Sequence, residues 1–346
     1  MNQTSDPSGD PRPDGASAAE AAELASLEAK ITALLPRQYH RCLDSVKPTS
    51  MGSAGLIWGG DGKVAWGQIW TSFCDLALAG GPPHRGSLLG PPSPEEVRAD
   101  PGKCQEVAEE VARGVRLTTG LAVVPAAAPG WVSVRCHDEP MAAWLLRAVM
   151  AENVFVRREK DVLQLPVGPR FCLDKEVKNV VVATAKTCHY WADHFSAGQR
   201  EAAAVVMRPT GEGSALVEPT VLYEALAAAD EYAAAAERTK QIAERAAGLP
   251  LARDQAGWVA VACHDQVMAA WLVRALIAEN ILARREESVL HLPVALPRLD
   301  EGRLGKMAET LARVRRLWDV HLARRPAPEQ ERDGLTPPDE PNRGTP

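Results

Sequence analysis

One stretch of this chain occurs twice. Trp131 to Val167 (WVSVRCHDEPMAAWLLRAVMAENVFVRREKDVLQLPV) returns without a gap as Trp258 to Val294 (WVAVACHDQVMAAWLVRALIAENILARREESVLHLPV). Roughly two thirds of the paired positions are identical, which is the mark of one structural unit used twice. Whatever the first copy folds into, the second must fold into as well.

Local patterning sets the elements of that unit. WVSVRC alternates apolar and polar residues, the period of a strand. Pro140 to Glu152 places Met141, Trp144, Leu145, Ala148 and Val149 on one helical stripe, and Asn153 suits a left-handed helix end. VFVRRE and VLQLPV flank the polar turn Lys160-Asp161 and read as a hairpin. Asp174 is placed to cap a helix running to about His194. The result is β-α-β-β-α over residues 120–196, repeated over 248–325. A βαβ crossover followed by a hairpin and a helix gives a small sheet of the ferredoxin-like type with one uncovered face, and two copies can meet edge to edge or face to face as a pseudodimer within one chain. The expected fold is therefore α+β: tandem duplicated β-α-β-β-α modules behind an N-terminal mixed α/β extension.

That extension, residues 17–119, is expected to be mainly helical with one short hairpin. Ala18 to Leu35 consists of strong helix formers and stops at Pro36. Gly55 to Trp66 folds back around Gly-Gly-Asp-Gly as a hairpin. Trp66, Ile69, Trp70, Phe73 and Ala77 recur at helical spacing, so Trp66 to Ala79 should bury an aromatic face. Gly80 to Glu96 (GGPPHRGSLLGPPSPEE) is too punctuated for regular structure, and a helix follows from about Lys103 to Leu117. Residues 197–247 read as a linker carrying an Ala-rich helix. Residues 1–16 and 326–346 are Pro-, Gly- and acid-rich and are expected to be disordered tails.

Composition narrows the function classes. A formal net charge of −6 gives no global attraction to nucleic acid or to an anionic membrane, so neither is an expected partner. No apolar run is long enough to span a bilayer and no signal peptide is legible, which points to the cytoplasm. The seven cysteines form no CxxC pair and read as free thiols. Walker, Rossmann, HExxH and nucleophile-elbow motifs are absent. No cofactor is implied.

Three groups of residues can carry chemistry. Arg157 and Arg158 recur as Arg284 and Arg285; guanidinium pairs on a sheet can grip a carboxylate or phosphate, the alternative being ion pairs with Glu152 or Glu159. Cys136-His137 and Cys263-His264 offer thiolate and imidazole ligands to a transition metal across the pseudo-twofold, the alternative being a buried strand-end cysteine beside a helix cap. Beyond Val167 the copies diverge, and only the first places Lys186 and His189 three apart on one helix, within reach of His84 and Arg85 on the glycine-proline loop. The six tryptophans Trp131, Trp144, Trp191, Trp258, Trp271 and Trp318 fall at one constant spacing and read as core. The leading expectation is a cytoplasmic accessory protein holding a small anion or a metal. An enzyme with a site between His84/Arg85 and Lys186/His189, and an assembly module using exposed sheet faces, are the alternatives.

Overall fold

Both tryptophan-led strands of the repeated stretch lie inside antiparallel sheets. The computed structural model describes residues 17–41, 43, 55–72, 75–126, 128–209, 215–296 and 301–324. The terminal segments, Phe73 and the side chain of Trp70 lie outside that description. The first sheet runs β1-β2-β4-β3, with β1 Ala122–Val124, β2 Trp131–Arg135, β3 Arg157–Glu159 and β4 Val162–Pro166. The second runs β5-β7-β6, with β5 Trp258–Ala262, β6 Arg284–Glu286 and β7 Val289–Pro293. The fold is mixed α+β, with ten α-helices and no closed barrel among the described residues.

The registers match position for position. Val132 pairs with Leu165 and Arg157 with Gln164; in the second sheet Val259 pairs with Leu292 and Arg284 with His291. One expectation changes. The helix after β2 delivers the chain to the far edge of the sheet, and the hairpin then folds β4 back between β2 and β3, so every pairing is antiparallel. An additional strand, β1, closes the other edge against β2. In the second sheet its place is taken by a short bridge of Leu251 to Val261.

The helices that cover these sheets are fixed by local chemistry. Asp138 caps α4 (Glu139–Ala151) by accepting from Met141 N at 2.7 Å, and Asp265 caps α9 (Gln266–Ala278) through Met268 N at 2.8 Å. Both helices end in an asparagine with positive φ, Asn153 and Asn280 at 61° each, a conformation that asparagine tolerates better than most residues. Trp144 of α4 meets Trp191 of α5 (Lys178–Asp193) with ring centroids 5.5 Å apart. Trp271 meets Trp318 of α10 (Glu301–Ala323) at the same 5.5 Å. Asp174 does not cap α5: the helix is entered through a wide π-helical turn, Leu173–Val177, and Glu176 accepts from Cys172 N at 3.0 Å.

Upstream elements also fall in step. The short helix α2 (Pro94–Ala99) and the long α3 (Pro101–Thr119) precede β1, and α7 (Leu222–Ala227) and α8 (Ala229–Ile242) precede the second sheet at aligned positions. Leu89 exchanges backbone hydrogen bonds with Asn153 and Phe155, as Val217 does with Asn280 and Leu282. The Ala-rich helix of 197–247 is thus α8, behind α6 (Ala197–Met207) and α7. In the extension, α1 (Ala18–Ala33) packs against α6, α9 and α10. A short antiparallel bridge, Trp58 to Val64, closes around Gly62. The helix expected over Trp66–Ala79 is instead a 3-10 helix over Trp66–Ser72 and a second over Ala77–Ala79. Ala77 N–H, which a continuous helix would keep for itself, is given to Glu152 at 2.9 Å.

Candidate functional site

Two places in the fold gather charge. The first lies where α4, α5 and the Gly80-Gly81-Pro82-Pro83 loop meet. Lys186 Nζ sits 2.8 Å from Glu152 Oε2, and neither side chain is exposed. Glu152 also accepts from Ala77 N and from His84 N, each at 2.9 Å. Lys186 donates further to Asp75 O at 3.4 Å, and Asp75 Oδ1 accepts from the Tyr39 hydroxyl, itself 2.7 Å from the Tyr190 hydroxyl. A buried charge is tolerable only when paired and hydrogen-bonded, as here. The loop is therefore clamped to α4 and α5 through Glu152 and Lys186.

His84 is partly buried in that clamp. Burial, with the charges of Lys186, Lys178 and Arg85, holds its imidazole down at about 3, so it is neutral at neutral pH. Arg85 turns to Glu176 at 3.5 Å, and its carbonyl accepts from Asn153. His189 lies a turn beyond Lys186, with Asp193 at 2.6 Å and His194 at 3.3 Å. The structure thus brings His84 and Lys186 together around Glu152, in a buried fastening, and leaves His189 in a separate cluster. Arg313 of α10, aligned with Lys186, reaches Glu279 Oε2 at 2.6 Å, so the ion pair itself recurs. Glu279 lies nearer solvent and takes Lys30 of α1 as well.

The second place is a cavity of about 780 Å³ between β3 and the segment 215–220. Arg147, Arg157, Arg158 and Arg303 line it together with Glu159, Glu218 and Glu224, over an apolar floor that includes Phe155, Met207, Leu282 and Leu296. Arg157 stacks over the Trp131 ring at 5.4 Å and meets Glu224 at 2.6 Å. Arg158 donates to Lys160 O at 2.7 Å. Burial, and then the nearby charge of Arg158, lower the Arg147 guanidinium to about 10.

The aligned arginines behave differently. Arg284 is fully buried and donates to Asn153 Oδ1, Glu286 Oε1 and Gln255 Oε1. Arg285 donates to Glu287 O and to Gly81 O, the latter at 2.8 Å. Arg274, aligned with Arg147, donates to Leu43 O at 2.7 Å and Ala79 O at 3.0 Å. Of the two pairs singled out from sequence, Arg157 and Arg158 border a cavity, while Arg284 and Arg285 are committed to the protein's own atoms. Arg147 carries the same signal, since it repeats as Arg274, and it lines the cavity as well.

The cysteine-histidine pairs do not converge. Cys136 and Cys263 are buried, and burial raises both thiols to about 12. His137 and His264 stand in solvent beside the capping aspartates. Among the described residues, no three His, Cys, Asp or Glu side chains gather as a metal site would require.

No helix among the described residues is long and apolar enough to cross a membrane. No family model matches this chain, no curated protein matches it, and no solved structure matches its fold.

Proposed function

We propose that this chain is a cytoplasmic ligand-holding accessory protein, built from two tandem copies of one ferredoxin-like unit. Its ligand is a small organic anion held in the 780 Å³ cavity. One observation carries the reading: the arginine pair that is buried in one copy, Arg284 and Arg285, borders a cavity in the other, as Arg157 and Arg158. Arg157 and Arg158 keep part of their surface, and a guanidinium can meet a carboxylate or phosphate with two parallel hydrogen bonds. The mixture of arginines with Phe155, Met207, Leu282 and Leu296 suits a ligand that has an apolar body and a charged end. The volume is within the range of small-molecule sites.

The tandem reading rests on the matched registers, caps and tryptophan pairs of the two sheets. In it the repeat starts near Leu89 and Val217, upstream of the strands that first reveal it.

The test is calorimetric titration of the full chain with acetate, butyrate, benzoate and inorganic phosphate, repeated on Arg158→Ala. Saturable binding of at least one anion, weakened about tenfold or more by the substitution, is the expected result. Absence of binding across the panel overturns the reading.

A further inference from the structure

Glu159 and Gln164, on the wall of the arginine cavity, align with Glu286 and His291, and these two line a second cavity of about 470 Å³. Each copy thus hollows the same face of its sheet. The chemistry differs, because the second copy has Gln255 where the first has Ala128, and histidine where the first has glutamine. Gln255, Asp254, Ala252 and Val289 join Glu286 and His291 on the wall.

His291 is the unusual group. Register sets it opposite Ala260 of β5 and Arg284 of β6, so its ring stands on the sheet face that also carries Trp258. Its side chain is only 2% exposed, yet neither ring nitrogen has a hydrogen-bond partner among the described residues. On the same face Trp258 Nε1 and Arg284 Nε are unpartnered as well. Buried polar atoms are nearly always paired, because an unpaired one has given up its hydration for nothing. Glu286 Oε2 lies 3.8 Å from His291 Nε2, beyond hydrogen-bond range.

Charge and hydrogen-bonding capacity narrow what can bridge that gap. Glu286 is already matched by Arg284 at 2.7 Å, and Asp254 by Lys240 at 2.7 Å, so neither carboxylate calls for a cation. An anion beside His291 would face Glu286. Burial, and then the charge of Arg284, hold the His291 imidazole down at about 3, so it is neutral and offers one N–H donor and one acceptor nitrogen. Glu286 Oε2 accepts from Gln255 Nε2 at 3.0 Å and has a lone pair to spare. A hydroxyl both accepts and donates. With its oxygen about 2.8 Å from each group, it spans the gap, accepting from the imidazole N–H and donating to the carboxylate. The cavity is far larger than the roughly 30 Å³ of one water and falls within the range of small-molecule sites.

We infer that this second cavity binds a neutral polyhydroxy ligand, a sugar or polyol, through a hydroxyl group seated between His291 and Glu286. Ala252 and Val289 give the ligand's C–H surface an apolar wall. The site is separate from the anion cavity and stands or falls independently of it.

The experiment titrates the full chain with glucose, ribose and myo-inositol, and with acetate and methylammonium as charged probes. Binding is read by saturation-transfer NMR and by long-range 1H–15N correlation of the histidine rings. At least one polyhydroxy probe should bind saturably, shift the His291 ring nitrogens, and lose about tenfold or more in affinity in His291→Phe, which removes both polar atoms of the ring. The nitrogen shifts are read in the wild type, and His291→Gln, which carries the first copy's residue, assigns them should the phenylalanine variant fail to fold. Absence of binding by all three polyhydroxy probes overturns the inference. So does binding that leaves the His291 nitrogens unmoved, or that is abolished by Arg158→Ala, because either places the ligand elsewhere. A shift of His291 by acetate or methylammonium but by none of the three overturns the neutral hydroxyl as the group recognised.

Discussion

Lys186 Nζ and Glu152 Oε2 lie 2.8 Å apart, with neither side chain reached by solvent. Because Glu152 also holds Ala77 N and His84 N, the pair fastens α5 to the Gly80-Gly81-Pro82-Pro83 loop, whose Gly81 carbonyl accepts from Arg285. Removing one partner of such a pair strands the other charge, at a cost of about 3–5 kcal/mol. Lys186→Met should lose that much in urea denaturation. Lys186→Met combined with Glu152→Gln should lose less than the single variant, since no charge is then left buried alone. A single-variant loss no greater than that of an exposed pair, about 1 kcal/mol or less, would show that the fastening is not structural.

Acid should weaken the fold before its carboxylates titrate. His84 and His291 are both held near 3, chiefly by burial, against about 6.5 in an unfolded chain. Between those values the unfolded state binds more protons than the folded one. Stability is therefore fully present above about 6.5 and falls as pH drops toward 3, with a slope of up to about 1.4 kcal/mol per pH unit for each group. Urea midpoints at pH 7 and pH 5 should differ in the wild type and differ less in His84→Asn and His291→Gln. Stopping at pH 5 keeps Glu176 and Glu286, both held below the ordinary carboxylate range, out of the comparison.

Asn153 combines two roles that substitution can separate. Its φ of 61° ends α4, and its buried amide accepts from Arg284 Nη1 while donating to Arg85 O and Arg285 O. Asn153→Gly keeps the backbone conformation and loses the amide; Asn153→Ala loses both. Alanine in a left-handed conformation costs about 1 kcal/mol more than glycine. Both variants should be destabilised in urea, alanine by about that margin more. The reverse ranking would mean that the backbone there relaxes out of the left-handed region.

How far the sequence reveals all this depends on whether a feature is local. The stripe of Met141, Trp144, Leu145 and Val149 locates α4 closely, and Asn153 adopts the left-handed φ its side chain suits. The Lys160 turn joins β3 and β4 as expected. One local signal went unused: Ser93-Pro94-Glu95-Glu96 is a capping box with proline in the first turn, and it starts α2 inside a segment expected to be irregular. Strand order is another matter, because nothing in β3 or β4 encodes which of them lies against β2. The arginines show the limit best. Arg157-Arg158 and Arg284-Arg285 are each followed by glutamate, and nothing in those residues encodes that Gly81 O accepts from Arg285 while Arg158 lines a cavity. Lys186 and His189 share a helical stripe in sequence, yet one turn of helix separates a sealed ion pair from a histidine cluster nearer the surface.

Gly114 offers a test of the packing between α3 and α5. It is buried in the middle of α3, where alanine is intrinsically favoured over glycine by about 1 kcal/mol. A methyl group there, however, would lie 2.7 Å from Val181 Cγ2, 2.9 Å from Val181 Cγ1 and 3.2 Å from the Trp66 ring. Val181 and Trp66 are themselves fully buried, so neither can step aside without disturbing its own contacts, and overpacking of this kind costs about 1–3 kcal/mol. The clash should win, lowering the melting temperature of Gly114→Ala. Gly102→Ala, in the exposed first turn of the same helix, meets nothing within 4 Å and should be neutral or slightly stabilising. Val181→Ala placed behind Gly114→Ala should recover part of the loss, because it returns the volume the new methyl takes. A Gly114→Ala protein as stable as the parent would mean that α3 and α5 can move apart, and that their contact tolerates more slack than this close approach implies.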